Sequence, residues 1–167
     1  MKEGLSNRLY FDVTSKSLNK KNEELCGDKV EVVRTGDDVI VVLSDGLGSG
    51  VKANILATLT SKIIATMMKS GATLEDTVDT IVHTLPVCKV RHMAYSTFSI
   101  LKLTADGKAY LTEFDCPGCV WVHEGVVLPV CDDIPKSFLV CDHPYHRQIV
   151  YISQLNTQTL VKRAEKK

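Results

Sequence analysis

The chain has 167 residues, 44% of them apolar and 24% charged, enough for one domain with a real core. Lysine plus arginine equals aspartate plus glutamate at 20 each, so the formal net charge is zero, and no basic excess points to nucleic acid or an anionic membrane. There is no apolar leader at the amino terminus, Ser61-Lys62 interrupts the best candidate for a membrane span, and six cysteines are not needed as staples at this length, so the expected setting is a reducing cytoplasm.

In chain order, residues 1–7 read as a loose start and residues 8–167 as a single domain. Residues 9–13 form a first strand, and the lysine-rich stretch 15–24 is a loop. Cys26-Gly27-Asp28 precedes a second strand at Val30-Glu31-Val32-Val33. Gly36-Asp37-Asp38 then turns the chain into a third strand, Val39-Ile40-Val41-Val42-Leu43, so these two strands read as a hairpin. After Gly50, residues Val51, Ile55, Leu59, Ile63 and Met67, with Leu56 and Ile64 beside them, recur at helical spacing on one face. Gly71 stops that helix. Thr73 with Asp76 opens a second one, whose stripe is Leu74, Val78, Ile81, Val82 and Leu85 and which Pro86 ends.

From Tyr95 the period changes to two. Strands are expected over 95–103, 109–114, 120–123 and 126–130, with turns at Asp106-Gly107 and Glu124-Gly125. Residues 132–144 look irregular, residues 148–153 form a last strand, and the basic tail Lys162-Arg163 and Lys166-Lys167 reads as a solvated end. Strands, then two helices, then more strands argue for an α+β fold with an antiparallel sheet and not for a parallel βαβ-wound one.

Chemistry concentrates at Ser44-Asp45-Gly46-Leu47-Gly48-Ser49-Gly50. A carboxylate at a strand end, followed by three glycines, can approach a hard divalent cation closely. The plainer reading is a strand-to-helix turn in which Asp45 and Ser49 cap the helix. The hairpin brings Asp28 to the same end as Asp45, which makes the two acids a candidate metal pair. The glycine spacing is not that of a dinucleotide loop, and no phosphate-binding lysine motif accompanies it.

Cys116-Pro117-Gly118-Cys119 has redox-motif spacing, but Val120-Trp121-Val122 reads as strand where a thioredoxin-type site needs a helix. Cys131, Cys141, His143 and His146 do not complete a zinc-ribbon pattern. A turn with incidental cysteines and no zinc is the expectation. Cys26 and Cys88 read as small buried residues, and His83, His92 and His123 as lone surface or core histidines.

Cys26-Gly27-Asp28, the Ser44–Gly50 element, two helices, and Tyr95-Ser96-Thr97 opening a strand together resemble the metal-dependent serine/threonine protein phosphatases, most closely their bacterial SpoIIE-like branch. The resemblance covers residues 8–155; Phe114-Asp115-Cys116-Pro117-Gly118 adds a weaker match. It implies an antiparallel β-sandwich flanked by helices and a phosphoprotein substrate. It further implies Mn2+ or Mg2+ at Asp28, Asp45 and the Gly46 carbonyl, with Asp28 and Asp45 as the catalytic residues and a metal-bridging water attacking phosphorus. Relatives carry a second strand-Asp-Gly element and a further acid in their last third. Here Asp132, Asp133 and Asp142 lack that context, and Glu165 sits in the charged tail. The chain is therefore expected to be incomplete at its carboxyl end and to bind at most one dication weakly. The alternative function is a non-catalytic regulatory or binding module on the same scaffold.

Overall fold

The computed structural model describes residues 9–85, 87–88, 93–105, 108–116, 119, 121–123, 126–128, 139–141, 150–152 and 160–166. Its framework is a five-stranded antiparallel sheet ordered β10-β7-β6-β3-β2. Here β2 is Asp28–Thr35, β3 Asp38–Gly46, β6 Ser96–Leu103, β7 Ala109–Phe114 and β10 Leu139–Cys141. A three-stranded sheet joins β1 (Leu9–Thr14), β12 (Leu160–Lys166) and β11 (Val150–Ile152), with β12 in the middle. Two short hairpins complete the strands: β4 (Val87–Cys88) with β5 (Met93–Ala94), and β8 (Trp121–His123) with β9 (Val126–Leu128). The helices are α1 (Gly50–Lys69) and α2 (Leu74–Thr84).

The continuous apolar run of β3 marks a strand covered on both faces. Val39, Val41 and Leu43 point to one side and pack with Leu101, Leu103, Leu111 and Phe11 of β1. Ile40 and Val42 point to the other and pack with Phe98, Ile100, Ile64, Met68 and Ile81. The main sheet thus carries the helices on one face and contact with β1 on the other. Phe98 and Phe114 stack across β6 and β7 with centroids 5.2 Å apart.

The second helix follows its sequence signals. The Thr73 hydroxyl accepts from the Asp76 amide at 3.0 Å, and Leu74, Val78, Val82 and Leu85 line the core. Three features differ from expectation. Residues 139–141, read as irregular, form a strand on β7. The strand at Val150–Ile152 is not the last, because the basic tail forms β12 and pairs with both β1 and β11. Pairing partners on both sides override the weak strand propensity of that charged segment. Residues 106–107, 124–125 and the loose start lie outside the described residues.

The third difference is the face of α1. The large apolar residues Val51, Ile55, Leu59 and Ile63 are 60%, 51%, 56% and 45% exposed. The buried face is Gly50, Ala53, Ala57, Thr60, Ser61, Ile64, Ala65 and Met68. The reason is the closeness of the helix to the sheet. Gly46 lies so near that a side chain on it would enter the backbone of Ala53, and a Cβ on Gly27 would stand 3.1 Å from that of Ala53. Only small residues fit there. Two substitutions on this one helix should therefore part company in urea denaturation. Ile64→Ala is expected to cost about 2–5 kcal/mol, and Leu59→Ala to change stability by less than about 0.5 kcal/mol.

Candidate functional site

The register of β2 on β3 sets Asp28 directly opposite Asp45 at the open end of the hairpin. Asp28 is buried and Asp45 half-buried. Burial, then the nearby charge of Asp28, then a hydrogen bond shared with it raise the Asp45 carboxyl from an ordinary 3.8 to about 7. Two carboxylates are held together at a cost that a cation between them would relieve.

The backbone around Asp45 is pinned from three directions. The Gly46 amide donates to the Gly27 carbonyl at 3.0 Å, closing the end of the hairpin. The Leu47 amide donates to the Tyr95 carbonyl at 2.8 Å. From β6, the Ser96 hydroxyl donates to the Asp45 carbonyl at 3.0 Å and lies 2.7 Å from the hydroxyl of Ser44. Ser44 and Ser96 are both fully buried, so this hydroxyl pair is an interior support with no access to substrate. A side chain on Gly27 would meet Asp45 Oδ1 at 3.9 Å and the Gly46 carbonyl oxygen at 3.7 Å. The bare Gly27 therefore leaves two oxygen donors unobstructed on one side of the hairpin end.

The glycine-rich turn is held by the preceding loop. The Ser49 side chain makes no capping bond to α1; instead its hydroxyl donates to Glu23 Oε1 at 2.7 Å. The Glu23 carboxylate occupies the place a side chain on Gly50 would take, and Gly50 has a φ of +66°. The simple cap reading of Asp45 and Ser49 is thus corrected. No local sequence signal marks Glu23, because loop acids are common and its partner is 26 residues away. Asn54 on α1 donates to the Cys26 carbonyl at 2.8 Å. Cys26, expected to be buried, is half-exposed; its thiol lies 3.7 Å from Asp28 Oδ2 and 3.6 Å from the Leu18 carbonyl oxygen.

Cys116 and Cys119 serve packing. Burial, with the charge of Glu113, raises the Cys116 thiol to about 11, and this thiol donates to the Phe98 carbonyl. Cys119 is in the core, and its amide donates to Glu113 at 2.7 Å. A thiol so firmly protonated is a poor nucleophile. His83 is exposed beside Asp79 on α2. Cys131, Asp132, Asp133, Asp142, His143 and His146 lie outside the described residues, as do the side chains of Cys88, His92, His123, Cys141 and Glu165.

The donors at the hairpin end are hard oxygens, which suits Mg2+ or Mn2+ in kind. Among the described residues no group of three or more histidine, cysteine, aspartate or glutamate side chains converges as a metal cage. The site is an acid pair with a carbonyl oxygen beside it.

Neither a family model nor a curated protein matches the sequence. Solved structures do. The PP2C phosphatase domain of the cell-fate determinant SpoIIE from Bacillus subtilis, solved with a fragment of its regulatory domain, superposes with a TM-score of 0.73 at 16% identity, over 89% of this chain and 47% of that one. The fold is that of a PP2C-type phosphatase domain. The RsbU and RsbW domains of a Mycobacterium tuberculosis protein match with a TM-score of 0.65 at 16% identity, over 87% of this chain and 43% of theirs. RsbX, solved with magnesium, matches with a TM-score of 0.60 at 19% identity, over 86% of this chain and 72% of its own. The chain spans about half the length of the first two. Among its described residues no helix is long and apolar enough to cross a membrane.

The raised Asp45 carboxyl has a stability consequence with a defined sign. Folding keeps a proton on Asp45 that the unfolded chain releases above its ordinary 3.8. The metal-free protein should therefore lose stability as pH rises from about 4 to about 7. Asp45→Asn removes that loss. In EDTA at pH 8 it is expected to gain on the order of 1–2 kcal/mol after solvent screening, or about 3–6 °C in melting temperature, and to gain nothing at pH 4.

Proposed function

We propose that this chain is a single phosphatase domain over residues 8–167, of the bacterial SpoIIE-like type, acting in the cytoplasm on phosphoserine or phosphothreonine of a protein partner. The observation that carries the reading is the direct pairing of Asp28 with Asp45, with the Asp45 carboxyl raised to about 7, on a PP2C-type scaffold.

Asp45, Asp28 and the Gly46 carbonyl would hold Mn2+ or Mg2+. When bound, the cation supplies activation of a water and neutralisation of charge on the phosphoryl oxygens. The chain's own part is positional. Half-buried Asp45 stands where β3 leaves the core, and the Ser44–Ser96 hydroxyl pair fixes its backbone. Gly48, with a φ of +108°, carries the chain away with open space where a side chain would project, leaving room for a phosphorylated residue to approach. Asp45 must release its proton before it can ligate, so the apparent Mn2+ affinity should fall by up to about tenfold per pH unit below pH 7.

A second reading, a binding module without turnover, is favoured by the small number of acids that converge among the described residues. Calorimetric titration with Mn2+ at pH 6, 7 and 8, paired with phosphate release from a phosphoserine peptide, separates the two. One weak site that strengthens with pH, slow Mn2+-dependent release, and loss of both in Asp45→Asn are expected. Binding with no release at all would favour the module. Two tight, pH-independent sites with rapid turnover would contradict the ligand assignment.

A further inference from the structure

The exposed face of α1 is the feature that the phosphatase reading leaves unused. Val51, Ile55, Leu59 and Ile63 follow one another at intervals of four and are each about half exposed. They form a single ridge about 18 Å long, with an apolar surface on the order of a few hundred Å2, the size at which a patch usually has a partner. Isolated exposed apolar residues need no explanation; four in register on one helix do.

Charge narrows the occupant. The helix carries Lys52, Lys62 and Lys69 and no acidic residue. Lys62 reaches Glu31 of β2 at 3.0 Å, whereas Lys52 has no carboxylate partner among the described residues. A second copy packed ridge to ridge would set lysines against lysines. A flat anionic bilayer would meet a chain of zero net charge, with Glu75, Asp76 and Asp79 exposed on the adjoining α2. An i, i+4 ridge fits the groove of another helix, and flanking lysines favour acids beside that helix's apolar stripe.

We infer that the outer face of α1 is a docking surface for an amphipathic helix of a protein partner, apolar at every fourth position and acidic on its flanks. This proposal does not depend on metal binding or turnover, so its failure is distinguishable from theirs.

The test uses the full chain and two fluorescein-labelled helical peptides with the same leucine ridge, one flanked by glutamates and one by lysines, read by anisotropy. The acidic peptide is expected to bind at least tenfold tighter in 50 mM salt, with the difference shrinking in 500 mM salt. Ile55→Asn with Leu59→Asn should weaken its binding at least tenfold while circular dichroism shows an intact fold. Lys52→Glu should narrow the preference between the peptides. Equal binding of both peptides, binding of neither, or binding unchanged by the ridge variant would overturn the proposal. So would a dimer in light scattering that the ridge variant dissolves, which assigns the face to a second copy. Co-sedimentation with phosphatidylserine vesicles that the ridge variant abolishes would also overturn it, by assigning the face to a membrane.

Discussion

Two carboxyl groups held face to face at the open end of a β-hairpin set the terms for the rest of this structure. Asp28 and Asp45 are register partners, and in a sheet, residues directly opposite each other cannot separate without breaking the ladder. The hairpin is in turn held by α1, packed on one of its faces, and by β6, paired along the β3 side. The Gly46 amide closes it onto Gly27, and the Ser96 hydroxyl holds the Asp45 carbonyl. The repulsion between the acids is therefore carried by the scaffold.

The close seat of α1 follows from the same need. The helix begins at Gly50, four residues beyond Gly46, so its first turns must pass near the hairpin end. Gly27, Gly46 and Ala53 are the residues that allow this, and the Glu23 carboxylate fills the space beside Gly50. The small buried face of α1 and the glycines of the turn are thus one packing solution. Its by-product is that the larger apolar residues of the helix are turned outward. A helix that lies tight on a sheet buries what is small, and what is large is left for solvent or for another molecule.

Much of this was legible in the sequence. The apolar run ending in Asp45, the turn at Gly36-Asp37-Asp38, and the capping signal at Thr73 with Asp76 carry their own local physics, and they place the acid pair and both helices. The face of α1 was not legible from periodicity alone. Spacing locates an apolar stripe but does not say how near the helix must come to its neighbour, and Ala53, Ala57, Ser61 and Ala65 do not stand out on any hydrophobicity count. β12 was hidden for a related reason. Lys162, Arg163, Glu165 and Lys166 give a solvated composition, and only partners on both sides, β1 and β11, make that segment a strand. Glu23 and the Ser44–Ser96 pair were hidden because their partners lie 26 and 52 residues away.

The pairing of Asp28 with Asp45 is tested most directly by the side-chain carboxyl carbons themselves. In protein labelled with 13C at the aspartate carboxyls, titrated without metal, the Asp45 resonance should move with a midpoint near pH 7. Millimolar Mg2+ should lower that midpoint by more than a unit and shift Asp28 as well. An Asp45 resonance that titrates near pH 4, with neither aspartate responding to Mg2+, would contradict the shared cation site.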